Sequence, residues 1–113
     1  MKTSNCLRLV SAAALCAGLV LPRIASASEL QLVIKDRQFL PAEIKAPAGQ
    51  KLRLVVHNQD STPEEFESHA LKREKIIAGN SKATILLGPL KPGRYTFFGE
   101  FNPATAQGTL VIE

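Results

Sequence analysis

The carboxylate and imidazole side chains between residues 64 and 100 are the best-placed groups in this 113-residue chain to do chemistry. Glu64, Glu65, Glu67 and His69 fall close together, and Glu100 follows the run Tyr95-Thr96-Phe97-Phe98-Gly99. In an extended segment Glu65 and Glu67, two residues apart, project to the same face. Carboxylates with one imidazole form a hard-to-borderline donor set, suited to Fe(II), Fe(III), Cu(II), Mn(II) or Zn(II) rather than Cu(I). A plainer account stands beside this one, because an acidic run in a loop commonly does no more than solvate a face. His57 ends a strand on its wetter side and reads as a surface or hydrogen-bonded histidine. Glu74 sits among Lys72, Arg73 and Lys75, where cross-strand ion pairing is its default role and contributes little. No Ser-His-Asp set, phosphate loop or zinc-finger spacing is present. With two histidines in all and no cysteine after residue 27, nucleophilic catalysis has almost no candidate residues.

The elements that must position these groups begin after a leader. Lys2, Arg8 and Arg23 are the only charged residues among the first 27, and residues 9–21 are 13 uncharged positions in a row. Ala25-Ser26-Ala27 is a small-x-small sequence of the kind signal peptidase accepts, so residues 1–27 read as a signal peptide cleaved after Ala27. The apolar run is short for a membrane span, which takes about 20 residues. Lipidation at Cys16 is disfavoured by Leu15, which stands where a small residue belongs. Removing the leader's three basic residues from the 14 leaves 11 against 10 acidic ones. The net charge of residues 28–113 is then near +1, and a nucleic-acid partner is disfavoured. Both cysteines, Cys6 and Cys16, also lie in the leader. The exported domain works without thiol or disulfide, and a periplasmic location is the simplest reading.

Residues 28–113 show no repeat, linker or low-complexity stretch and read as one domain. Leu30, Leu32 and Ile34 alternate with wetter neighbours, as do Leu52, Leu54 and Val56, the period of a half-buried strand. Residues 42–46, 71–77, 82–87, 94–99 and 108–112 supply five more candidate strands. Pro47-Ala48-Gly49, Ala78-Gly79-Asn80-Ser81 and Pro89-Leu90-Lys91-Pro92-Gly93 are turn signals between them. About seven short strands at such spacing predict an all-β sandwich or barrel. Residues 58–63 read as a polar loop, and 63–71 as a loop with at most one helical turn. Phe39, Tyr95 and Phe97 are expected to pack in the core. Phe98 and Phe101 bracket Gly99-Glu100, where they either wall a dry pocket or, for Phe98 at least, join the core.

The order Phe39-x-Pro41, Pro47-Ala48-Gly49, Leu54-Val55-Val56-His57-Asn58, Tyr95-Thr96-Phe97-Phe98-Gly99 and Gly108-Thr109-Leu110-Val111-Ile112 resembles a cupredoxin across nearly all of residues 30–113. Glu65-Phe66-Glu67, Glu74 before Gly79-Asn80, and Leu90-Lys91-Pro92-Gly93-x-Tyr95 resemble one branch of it, the EfeO-type cupredoxin-like domains of bacterial iron uptake. The resemblance implies a Greek-key β-sandwich. It implies that Glu65 and Glu67 match the branch's Glu-x-Glu, and that the loop beginning at Glu100 lies beside them at one pole. His69 and Glu100 are added to that metal set on chemistry and position alone. The departures are equally informative. Gly99 stands where a blue copper protein has its Cys, Asn102 where a His would follow, Gln107 near the usual Met, and the acidic run at Glu64 and Glu65 replaces the upstream His. Without thiolate and imidazoles a blue copper electron carrier is excluded.

Three functions follow as expectations. The first is a periplasmic metal-binding accessory of an iron or copper uptake system, carrying a copper or iron ion at Glu65, Glu67, His69 and Glu100. Its partners would be a membrane permease or a periplasmic iron-binding protein. The second is a metal-free module of the same fold that docks on such a partner. The third and weakest is copper-dependent oxidation of ferrous ion, the only enzymatic option the residues leave.

Overall fold

The computed structural model describes residues 27–113, so residues 1–26 of the predicted signal peptide lie outside the described residues. Nine strands follow in chain order. They are β1 (Ser28–Lys35), β2 (Gln38–Leu40), β3 (Glu43–Ala46), β4 (Leu52–Asn58), β5 (Glu64–Ser68), β6 (Arg73–Ile77), β7 (Ser81–Leu87), β8 (Gly93–Gly99) and β9 (Gln107–Ile112). One sheet has the order β2-β1-β4-β7 and the other β3-β9-β8-β5-β6. Two parallel pairings, β1 with β4 and β3 with β9, join strands distant in sequence. The remaining pairs are antiparallel. This is the all-β sandwich that the alternating segments predict, with two strands more than the seven expected.

The additional strands have separate causes. β2 is a three-residue return of β1 across a tight turn, where Asp36 and Arg37 both take positive φ. The Asp60 carboxylate secures that turn by accepting the backbone N–H groups of Asp36 at 2.8 Å and Arg37 at 2.9 Å. β5 replaces the loop and helical turn expected over residues 63–71. Its alternation escapes a hydropathy reading because two of its three inward residues, Glu64 and Ser68, are polar and only Phe66 is apolar. The strand expected from Leu71 begins instead at Arg73, because Lys72 adopts positive φ to turn the hairpin between β5 and β6.

Inside the sandwich Phe39, Phe66 and Phe97 form an aromatic trio that bridges the sheets. The Phe39–Phe97 centroids are 5.2 Å apart and edge-to-face, and Phe66–Phe97 are stacked at 5.0 Å. Both arrangements suit the ring quadrupole. Leu32, Ile34, Leu54, Val56, Ile77 and Leu110 complete the packing around it. Tyr95 is only partly buried against this cluster, and its hydroxyl donates to the Lys91 carbonyl at 2.7 Å. Phe98 points to the outer face of the five-stranded sheet, not into the core.

Asn58 ties the end of β4 to the site strands. It is fully buried, and its amide nitrogen donates to the carbonyls of Thr62 at 2.9 Å and Ile77 at 3.1 Å. Its oxygen accepts the Asp60 N–H. All of these groups are satisfied, which is the condition for burying an amide without loss.

The core assignment predicts a contrast between two neighbouring phenylalanines. Phe66→Ala is expected to destabilise the domain by about 3–5 kcal/mol, the usual cost of emptying a buried aromatic site. Phe98→Ala, on the outer face, is expected to cost about 1 kcal/mol, roughly half of a full side-chain burial. Thermal melts of the two variants check this.

Candidate metal centre

The alternation of β5 sends its acidic residues to opposite sides of one sheet. Glu64, Phe66 and Ser68 face the interior, whereas Glu65 and Glu67 are half-buried on the outer face. On the outer face Glu67 lies directly across from Glu74 of β6, and Glu65 lies across from Ile76. Carboxylate oxygens of Glu65, Glu67 and Glu74 gather within 4.8 Å of one another. Oxygen ligands about 2.0–2.2 Å from one cation stand at most about 4.4 Å apart. A small side-chain adjustment therefore brings all three within reach of a single ion.

His69 and Glu100 flank this group. The exposed His69 ring lies 5.7 Å from that of Phe98, on the Glu67 side. The backbone N–H of Glu100 donates to the Glu65 carbonyl at 2.8 Å, which holds the loop after β8 against β5. Neither side chain belongs to the tight trio. Glu74 does, and ion pairing does not account for it. The ion pairs among the described residues are Arg53–Glu29 at 3.9 Å and Arg94–Glu43 at 3.3 Å, both exposed. Spacing in the sequence could not reveal Glu74, because its partnership with Glu67 depends on the β5–β6 register. His57 sits half-buried on β4 in the other sheet, away from these residues.

Assembling like charges has an electrostatic consequence. The Glu67 carboxyl is raised above its ordinary value first by partial burial, then by a hydrogen bond with the Glu74 carboxyl and by the charges of Glu74 and Glu65. His69 opposes the rise. The Glu65 carboxyl is likewise raised, by partial burial first and then by the charges of Glu74, Glu100 and Glu64. These shifts mean that the folded protein binds protons more readily than the unfolded chain at these positions.

On the interior side, Glu64 is almost fully buried. Its Oε1 accepts the N–H of Glu65 and of Phe101, each at 2.9 Å, and its Oε2 accepts the Asn102 side-chain amide at 2.8 Å. Gly99 faces it. A Cβ at that position would lie 2.6 Å from Glu64 Cδ and Oε2, and 2.7 Å from Ala106 Cβ.

These two faces lie on a recognisable scaffold. Residues 7–112 match the family model described as a cupredoxin-like domain, and the chain belongs to that family. An uncharacterized protein of Rickettsia prowazekii (strain Madrid E) is 48% identical over 84 residues, covering 74% of this chain and 67% of that protein. Among solved structures, auracyanin A, a blue copper protein of Chloroflexus aurantiacus, superposes with a TM-score of 0.67. It is 14% identical, over 78% of this chain and 100% of that one. The metal-binding domain of the Cu(I)-exporting P-type ATPase of Streptococcus pneumoniae D39 gives the same TM-score at 13% identity, covering 80% and 99%. Amicyanin from Paracoccus versutus gives 0.59 at 16% identity, covering 80% and 85%. Identities this low speak to the fold alone.

A blue copper centre does not fit the residues present. Residues 28–113 contain no cysteine, and Glu64 at the interior pole is already engaged by three donors. The carboxylates that gather for a cation among the described residues are on the outer face, a hard set.

The raised carboxyls give a pH prediction. Because their folded-state values exceed the unfolded value of 4.5, the stability they contribute is present below that value and is lost as pH rises through the folded values. Glu67→Gln, which removes one of the mutually repelling charges, is therefore expected to melt at a higher temperature than wild type at pH 7. The gap should close as pH falls toward 4. Melts of the chelator-treated proteins across that range check it.

Proposed function

We propose that the protein is a periplasmic metal-binding accessory of a bacterial iron or copper uptake system, of the EfeO type, acting beside a membrane permease or a periplasmic iron-binding protein. Cu(II) or an iron ion would be held at Glu65 and Glu67, with His69 and Glu100 alongside and Glu74 added to the set. The observation that carries the reading is the gathering of three carboxylates within 4.8 Å on the face shared by β5 and β6. The ion pairs among the described residues lie elsewhere, and hard oxygen donors at that spacing suit such ions. The sequence features of an exported chain support the location.

A cation that binds the native state raises its melting temperature by mass action. Cu(II) or Fe(III) added in about tenfold excess to the chelator-treated domain 28–113 is expected to raise its melting temperature. Glu65→Gln with Glu67→Gln is expected to abolish the rise. Calorimetric binding weaker than millimolar for both ions would remove the proposal. With no thiolate to supply charge-transfer intensity, the Cu(II)-loaded domain should be pale, not blue. Affinity should fall as pH drops and protons compete for the carboxylates.

A second reading, a metal-free docking module of the same fold, draws support from the saturated interior pole and from Phe101, which is 48% exposed beside it. It predicts no melting response to any of the ions.

A further inference from the structure

We propose that the Glu64 side chain closes the interior pole of this sandwich, and that Glu64, Gly99 and Asn102 form one interdependent unit that draws the loop after β8 onto β5.

The argument begins with the cost of the arrangement. A buried carboxylate is expensive unless its oxygens are hydrogen-bonded. Glu64 is 1% exposed and accepts two backbone N–H groups and one amide N–H. Three N–H donors meet the acceptor capacity of a buried carboxyl side chain. Each partner comes from a different part of the pole: Glu65 from β5 itself, Phe101 and Asn102 from the loop that follows β8. One side chain thus joins two segments that the backbone connects only through Glu100 N–H to Glu65 O.

The loop is built to receive it. The Asn102 carbonyl accepts the N–H groups of Thr105 at 3.2 Å and Ala106 at 2.9 Å, and Gly99 donates its N–H to the Ala106 carbonyl while its own carbonyl accepts that of Asn102. That turn fixes the Asn102 side chain toward Glu64. Gly99 is required for a steric reason, since the carboxylate and the Ala106 methyl occupy the volume that any Cβ there would need. Its backbone φ is not in the left-handed region, so conformational freedom is not the reason for a glycine. The carboxylate, the amide and the missing side chain are three parts of one fit.

The unit also separates the two faces of β5. Glu64 is spent on internal hydrogen bonds, while Glu65 and Glu67 remain outside. Any cation site of this protein therefore excludes Glu64, a statement that rests on the outer-face reading only in naming the alternative ligands.

An exchange of carboxylate and amide tests the unit. Asn102→Asp sets a second carboxylate 2.8 Å from Glu64 Oε2 and is expected to lower the melting temperature at pH 7 by roughly 10 °C or more, as expected for a buried unpaired charge in a domain this small. Adding Glu64→Gln restores a donor–acceptor pair with the roles reversed. It is expected to recover at least half of that loss and to return slow hydrogen exchange to the Phe101 N–H. Additive losses in the double variant would overturn the proposal. A second measurement uses Cu(II) and Fe(III) as probes: Glu64→Gln should leave any ion-induced rise in melting temperature within about twofold of wild type. If Glu64→Gln abolishes the rise while Glu67→Gln does not, Glu64 is a ligand and the proposal fails. A wild-type domain that responds to neither ion removes the outer-face reading and leaves the exchange of residues 64 and 102 to decide this one.

Discussion

Strand β5 is the constraint on which the rest of the structure turns. Its period of two forces Glu64, Phe66 and Ser68 to one side and Glu65 and Glu67 to the other. Phe66 must be inside, because it stacks on Phe97 and meets Phe39 from the opposite sheet. That single demand takes its two inward neighbours with it. Glu64 and Ser68 are buried by register, not by preference, and the fold supplies each with partners. Ser68 donates to the Thr96 carbonyl and accepts the Leu71 N–H. Glu64 receives three donors. A slip of one residue would expose Phe66 and bury Glu65 and Glu67 without such partners, so register is strongly specified here.

The same strand explains why the adjacent acidic side chains Glu64 and Glu65 have unlike fates. Outside, the pairing with β6 sets Glu67 across from Glu74, a like-charge cross-strand pair of the kind sheets usually avoid. Inside, the Glu64 oxygens are hydrogen-bonded within the chain. One face therefore holds repulsion that a cation would relieve, and the other holds none. The two faces of β5 thus differ in electrostatics on a scaffold that resembles those of auracyanin A and the Cu(I)-exporting ATPase domain. The interior pole is closed by the chain's own atoms, and the outer face presents the hard donors.

The membership of the chain in the cupredoxin-like family thus coexists with a site unlike a blue copper centre. Fold and site are separable, since a sandwich of this kind asks only for inward apolar residues and competent turns. Gly99 illustrates the point. At the sequence level it marks the loss of a thiolate. In three dimensions it is the space into which the Glu64 carboxylate fits.

How much of this was legible in the residues differs from element to element. The alternation in β1 and β4, the turn signals and the aromatic strand β8 announced an all-β sandwich, because period-two hydropathy is a local property of a half-buried strand. The absence of cysteine from residues 28–113 excluded a blue copper centre, because ligand chemistry depends on residue type alone. Glu65 and Glu67 stand out because they match the Glu-x-Glu of the resembling branch and because residues two apart share a face. β5 itself was hidden, since buried Glu64 and Ser68 mimic the composition of a loop. Glu74 joined the outer trio only through the β5–β6 register, and Glu64 left the surface only through the packing of Phe66. Those are cross-strand and through-core relations, set by which distant segments meet, and spacing along one chain does not encode them.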